Sequence, residues 1–325
     1  MKDVIPPVDR EIIEKELSDE KFVRMTNNGG NMIYVVTAHN SPNIMREIGR
    51  LRELTFRVAG GGTGKDCDID GYDIDEVPYL QLIVWNPEEK EITGGYRFQI
   101  GRNLMKNADG KFKVATAGLF HLSEKFEREF LPYTIELGRS FVQPLYQLAH
   151  GSRRGIYSLD NLWDGLGALI ADNPDMKYFY GKMTMYPHFN QLARDYLLVF
   201  FDKYFPDPDS LFRPIIGIGL HNDEKMVQEP FVGISDYKEA HKVLSLLVRN
   251  TGEVIPPLVN AYMNLSPSMR TFGTAINEHF GKVEETGLMV TISHIYESKK
   301  KRHIETYYRD KVKRRIAPDS TDNQH

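Results

Sequence analysis

Residues 133–142 read Tyr-Thr-Ile-Glu-Leu-Gly-Arg-Ser-Phe-Val. Apolar, aromatic and β-branched residues at both ends of this run predict a strand over 133–142. Two charged residues, Glu136 and Arg139, sit inside it. Side chains on a regular strand alternate between its two faces, so residues three apart point opposite ways. Glu136 and Arg139 share one face only if an extra residue bulges the strand between them. Charge in the middle of a sheet strand is costly unless it is paired, which leaves a structural ion pair or a functional site.

Working outward, a helix is predicted over 159–171, a strand over 178–185, a helix over 190–201 and a strand over 213–220. A helix at 237–250 stops at Gly252, and a last strand covers 286–294. On the N-terminal side, 8–17 reads as a short helix and 31–38 as a strand. Ser41-Pro42 opens a helix, with Ser41 as N-cap, and that helix ends at Gly60-Gly61-Gly62. Its apolar side is marked by Ile44, Ile48, Leu51, Leu54 and Phe56. Residues 66–76 form an acid-rich loop. Residues 79–85 and 91–100 pair around Asn86-Pro87-Glu88-Glu89, and 104–114 reads as a loop. Strands come first and helix–strand alternation follows, which predicts an α/β (α+β) mixed sheet flanked by helices, not a doubly wound domain. Three parts are expected: an N-terminal helical arm (1–24), one catalytic domain (25–295), and a basic helix with a disordered tail (296–325).

Composition narrows the function class. The 325 residues are 41% hydrophobic and 26% charged, with a net charge of -4 and a single cysteine, Cys67. Such a chain buries an ordinary globular core. It has no intrachain disulfide and no cysteine-based zinc site. No apolar run approaches the ~20 residues that span a bilayer, and no secretory leader is visible, so a cytoplasmic address is expected. The net charge gives no reason to expect nucleic acid as a partner. Charge is uneven, however. Residues 298–315 carry nine Lys/Arg against two acids, a local +7 that leaves -11 for the rest. With Ile304, Tyr308, Val312 and Ile316 spaced by four, this segment predicts a basic helix with a thin apolar stripe. Such a helix suits a solvated terminus, an anionic membrane surface or an acidic protein such as an acyl carrier protein.

Two motifs fail on inspection. Gly60–Lys65 (GGGTGK) resembles a phosphate loop, but Ala59 stands at the first glycine position and Asp66 where Ser or Thr would bind magnesium. It also follows a helix instead of a strand. The Asp66–Asp75 acids lack the spacing of a calcium loop, the histidines show no zinc spacing, and His188 reads as a packed or solvent-facing residue.

Four pieces remain: Arg52-x-x-x-Phe56, Asp70-x-x-Asp73, Gly94-Gly95-Tyr96-Arg97 and Glu136-Leu137-Gly138-Arg139-Ser140. Together with IPPLVNAY (255–262), their order resembles the long-chain branch of the GNAT superfamily of N-acyltransferases. Within it the chain is similar to the ornithine-lipid and glycine-lipid N-acyltransferases, often labelled haemolysins, and more distantly to acyl-homoserine-lactone synthases. The resemblance implies a GNAT fold, a twisted mixed sheet of six or seven strands whose central parallel strands, here 133–142 and 178–185, splay apart around a thioester arm. It also implies a bulge in the first of these.

An amide can form only from a neutral amine, so a base is needed. Glu136 is the candidate base, with Arg97 and Arg139 as forks for an acceptor carboxylate. The resemblance implies that Arg52, Phe56, Asp70, Asp73 and Phe141 build the acceptor pocket, and that Val142, Arg153, Arg154 and Gly155 serve the acyl donor. The family's usual phosphate-binding signature is replaced here by Ser152-Arg153-Arg154-Gly155-Ile156. Segments 120–126 and 255–265 are the candidate acyl groove. The activity implied is transfer of a long, 3-hydroxy acyl chain from acyl carrier protein or coenzyme A to glycine or ornithine. No permanent cofactor or metal is implied. The protein would sit in the cytoplasm, peripherally on the inner membrane. A homoserine-lactone-type synthase and a non-enzymatic membrane-active protein are the competing readings.

Overall fold

A computed structural model describes residues 1–147 and 155–316, with side chains through 311. Arg153 and Arg154, and the terminal segment 317–325, lie outside the described residues.

In chain order the first elements are α1 (Arg10–Glu16), β1 (Phe22–Met25), β2 (Met32–Val36), α2 (Pro42–Val58) and the single turn α3 (Gly71–Ile74). Strands β3 (Leu80–Asn86), β4 (Glu91–Ile100), β5 (Phe120–Leu122) and β6 (Thr134–Val142) follow. Then come α4 (Ser158–Asp172), β7 (Tyr178–Met185), α5 (Gln191–Tyr204), β8 (Phe212–Pro214), α6 (Glu224–Gln228), α7 (Tyr237–Asn250) and α8 (Pro257–Met263). Strands β9 (Arg270–Asn277) and β10 (Val283–Thr291) and helices α9 (Glu297–Lys300) and α10 (Thr306–Ile316) complete the chain.

Eight strands form one sheet in the order β1-β2-β3-β4-β6-β7-β10-β9, not the six or seven expected. The extra strands lie at its edges. β1 has four residues and β9 is interrupted by Gly273 at φ +77°, so neither shows clean alternation. β1 also crosses the expected boundary at residue 24, which ties the N-terminal arm into the sheet. Conversely, the strand expected over 213–220 stops at Pro214, which has no N–H to continue a ladder. Its three residues pair with β5, inside a segment expected to be groove.

Every neighbouring pair in the large sheet is antiparallel except β6 with β7. That pair is in register only over Thr134–Glu136 with Tyr178–Tyr180. Beyond Glu136 the two strands separate, opening a wedge in the middle of the sheet.

The faces differ. One is covered by α4, α5 and α7, through residues such as Leu162, Leu166, Leu197, Phe200 and Leu244 over Leu82, Tyr96 and Phe98. Toward the other, α2 lays Ile44, Ile48 and Leu51 over Tyr34, Val36 and Ile83, and a second apolar cluster centres on Phe120, Phe126, Tyr180 and Phe212.

The basic C-terminal segment folds back on α4. The expected stripe through Ile304 and Tyr308 is not the buried one: Tyr308 is 45% exposed, while His303 and Tyr307 are 4% exposed. A π-type turn at Lys301–Glu305 adds a residue and rotates the buried face by one position. His303 Nδ1 lies 2.7 Å from Asp164, the Tyr307 hydroxyl donates to Asp172 at 2.9 Å, and Arg302 pairs with Asp160 at 2.6 Å. The acidic partner of this basic stretch is thus, in part, the chain's own α4. A Cβ at Gly167 would stand 2.3 Å from the His303 carbonyl oxygen, so α4 must be bare there for the docking to form. Gly167→Ala is expected to lower stability by about 1–3 kcal/mol and to expose residues 297–311 to limited proteolysis. An unchanged digestion pattern and unfolding midpoint would contradict this packing.

A candidate acyl-transfer site at the split sheet

The wedge between β6 and β7 opens into a cavity of about 520 Å³. Leu137, Leu162, Leu166 and Tyr262 line it from the α4 face, and Glu136, Lys182 and Glu285 from the α2 face. One cavity bounded by residues of both faces passes through the sheet at the gap. Its α4 end is apolar, extended by Pro256, Pro257 and Val259. Its α2 end is polar and charged. Segment 255–265 therefore meets the expectation of an apolar groove, whereas 120–126 does not. Phe120 and Phe126 pack instead against Phe212 and Tyr180.

The polar end begins with the bulge. Arg97 stands opposite Gly138 and Gly95 opposite Phe141, so β6 spends one residue more than β4 between those pairs. Arg139 takes φ +51°, a left-handed conformation that a bulge accommodates. As a result Glu136 and Arg139 both face the cavity, with Phe56 and Phe141 beside them. They are not an ion pair. Glu136, 2% exposed, accepts from the Thr116 amide at 3.0 Å, from the Thr116 hydroxyl at 2.6 Å and from the Tyr79 hydroxyl. Burial and the Glu136 charge push the Tyr79 phenol well above its ordinary pKa, so at neutral pH it keeps its proton and donates.

The three arginines are partnered by three aspartates from the acid-rich loop. Asp73, fully buried, lies 3.2 Å from Arg52 Nη1 and 3.1 Å from Arg97 Nη1, and accepts from Gln81 Nε2 at 3.0 Å. Arg52 also donates to Gln81 Oε1. Asp70 caps α3 and takes Arg97 Nη1 at 2.8 Å. Arg139 holds Asp68 by Nε at 2.8 Å and Nη2 at 3.4 Å, with its guanidinium 4.3 Å above the Phe280 ring. Burial alone would raise the Asp73 pKa, but the charges of Arg52 and Arg97 outweigh it and hold the carboxyl well below its usual range. Burial lowers Arg97 in turn, yet Asp73 and Asp70 more than compensate and keep it charged. Arg52 is therefore a buried member of this network, not a solvated helix charge. Arg97, 3% exposed, also lines the cavity; it meets both Asp70 and Asp73 through Nη1, so its charge is paired within the network, while its buried Nε has no hydrogen-bond partner. Arg139 lines the cavity, but its fork is already on Asp68.

Sequence reasoning singled out Asp70 and Asp73 but not Asp68, Gln81, Tyr79 or Thr116. It also missed Lys182 and Glu285, which no local motif marks. On the donor side Val142 and Gly155 line the cavity, and a Cβ at Gly155 would stand 2.1 Å from the Tyr146 carbonyl oxygen. The GGGTGK loop binds an anion of its own chain. The amides of Thr63 and Gly64 and the Thr63 hydroxyl all donate to the Glu53 carboxylate, at 3.0, 2.8 and 2.6 Å. Burial would raise the pKa of Glu53, but these donors and Arg57 hold it below its ordinary value. Among the described residues, no group of acids, histidines or cysteines is placed to hold a metal. No described helix is long and apolar enough to cross a membrane.

Residues 51–154 match the acetyltransferase (GNAT) domain family. The glycine N(alpha)-acyltransferase of Phocaeicola vulgatus is 52% identical over 307 residues, 94% of each chain. That of Bacteroides thetaiotaomicron is 50% identical over 94% of this chain and 91% of its own. The chain belongs to this family of GNAT N-acyltransferases. Among solved structures, the CoA-dependent acyl-homoserine lactone synthase BjaI aligns over 86% of the acyltransferase and 90% of its own chain, with TM-score 0.38 and 12% identity. FeeM, an N-acyl amino acid synthase from uncultured soil microbes, aligns over 81% and 92%, with TM-score 0.39 and 9% identity. Likeness at that level carries no functional argument. Family membership makes the acyltransferase an enzyme and sets aside the non-catalytic, membrane-active reading. The split sheet gives it the acyl-CoA N-acyltransferase architecture.

Proposed function

We propose that this N-acyltransferase moves a long acyl chain from a thioester to the amine of glycine. The observation that carries the reading is the cavity through the sheet, apolar at the α4 end and charged at the α2 end. An acyl chain and a charged amino acid can enter from opposite sides and meet at the gap. The curated relatives, named for glycine, supply the acceptor.

The thioester carbonyl is positioned at the wedge, where β6 past Glu136 has no ladder bonds to β7 and its backbone N–H groups are available to a developing oxyanion. The amine attacks the carbonyl carbon, the C–N bond forms and the C–S bond breaks. An acceptor that arrives as ammonium first gives one proton to Glu136 and becomes the neutral nucleophile; the second proton leaves the nitrogen as the amide forms and goes to the departing thiolate, which leaves as thiol. Three donors hold the Glu136 carboxylate and leave one of its roughly four acceptor directions for the ammonium proton, directly or through a water. The arginine–aspartate network keeps the bulge and the cavity floor rigid, so Arg97, Arg52, Asp70 and Asp73 act as positioning residues.

The donor is a 3-hydroxyacyl or simple long-chain acyl group on acyl carrier protein or coenzyme A. The test supplies purified protein with both carriers, glycine, ornithine and other amino acids, and reads products by mass spectrometry. N-acylglycine is expected. Formation of no amide with either carrier would overturn the reading, and preference for ornithine would replace the acceptor.

A further inference from the structure

Among the described residues, Lys182 on β7 and Glu285 on β10 form the remaining charged pair on the polar wall of the cavity. Glu285 stands opposite Thr184 and Lys182 opposite Gly287, so the two are diagonal neighbours on one face. Lys182 Nζ lies 2.7 Å from Glu285 Oε2, with side chains 15% and 5% exposed, and both line the cavity. Because Glu136 pairs with Tyr180, Lys182 lies two residues further along the same face, where β6 and β7 have parted.

This pair differs from the arginine–aspartate network. Arg52 and Arg97 share Asp73, Arg97 also holds Asp70, and Arg139 holds Asp68, so those charges are spoken for. Lys182 forms an ion pair with Glu285, and Glu285 accepts a hydrogen bond from Asn277 Nδ2 at 3.3 Å. An ammonium has three donors and a carboxylate about four acceptor directions, so both partners have capacity facing the cavity. The long lysine stem can swing without moving the backbone.

We propose that Lys182 and Glu285 seat the acceptor as a zwitterion, its carboxylate on Lys182 and its ammonium on Glu285. This rests on the reading of the enzyme as an N-acyltransferase that acts on an amino acid. A zwitterion placed between two opposite charges leaves every buried charge paired, whereas an amine without a carboxylate would leave Lys182 unpaired. The pair therefore selects α-amino acids over simple amines and holds the amine beside the gap. It takes the role that the sequence suggested for Arg97 and Arg139.

The test compares glycine with glycinamide, which keeps the amine and lacks the carboxylate, in steady-state acylation by the full chain. Wild type is expected to favour glycine by roughly 10- to 100-fold in kcat/KM, the range for a charged hydrogen bond. The double variant Lys182→Met/Glu285→Met removes both charges together and so strands neither of them. Its glycine-to-glycinamide ratio is expected to fall to near one, with the glycine KM raised and the thioester KM moved less than about twofold. Lys182→Arg, which keeps a cation, is expected to retain the preference. If the double variant does not fold, the neutral pair Lys182→Gln/Glu285→Gln gives the same readout. A folded variant of either kind that keeps the wild-type ratio would overturn the seat and leave acyl transfer standing. A wild type that acylates no amino acid would overturn both.

Discussion

Glu136→Gln is expected to lower turnover by roughly 100- to 10,000-fold, the range a positioned proton acceptor contributes. The substitution keeps the shape of the side chain. The remaining carbonyl oxygen can still accept from the Thr116 amide and hydroxyl, and the new NH2 meets the Tyr79 hydroxyl, which can rotate to accept. Stability should therefore change by only about 1 kcal/mol, the net worth of one hydrogen bond. Turnover at saturating thioester and glycine, measured beside a denaturant titration, separates the two effects. A Glu136→Gln enzyme within about tenfold of wild type would remove Glu136 from proton transfer.

The second large effect is on folding. Asp73→Asn is expected to cost about 3–5 kcal/mol, because it leaves Arg52 and Arg97 as neighbouring buried cations with their shared anion gone. Urea unfolding should show a lower midpoint with an unchanged slope. The same carboxylate predicts an acid-side signature. Its folded pKa is depressed below the value of about 3.9 it takes when unfolded, so the stability it contributes is complete above about pH 4. That stability is lost as pH falls below about 4 toward the folded value. Wild type should therefore lose stability more steeply than Asp73→Asn in that window. Parallel slopes would show that Asp73 is not the group responsible.

The elements and the site differ in how far local residues announced them. β4, β7 and α7 have the predicted bounds, and α2, β3, β6, α4 and α5 begin and end within a few residues of expectation, because their apolar periodicity is strong and turn residues flank most of them. The edge strands β1 and β9 were hidden because exposure and Gly273 break the alternation that reveals a strand. The stripe on the C-terminal segment was displaced by a turn whose extra residue has no signature in composition. Glu136 and Arg139 stood out as charges inside an apolar run. Lys182 lies in a similar run, YFYGKMTM, but an isolated lysine has no local partner to give it meaning, and its glutamate arrives about a hundred residues later.

The chain's own residues, with no structure in hand, were enough to give a mixed sheet, a central strand carrying misplaced charge, and an acylating family. The sheet and the misplaced charge follow from period, turn chemistry and residue type, all of which are local, and the family came from the resemblance carried by the order of the four motifs. Which aspartate meets which arginine, that Arg97 pairs with both Asp70 and Asp73, and that Lys182 and Glu285 face the same cavity as Glu136 came only from three dimensions. Ion pairing depends on strand order and register, and these bring together residues that the chain keeps far apart.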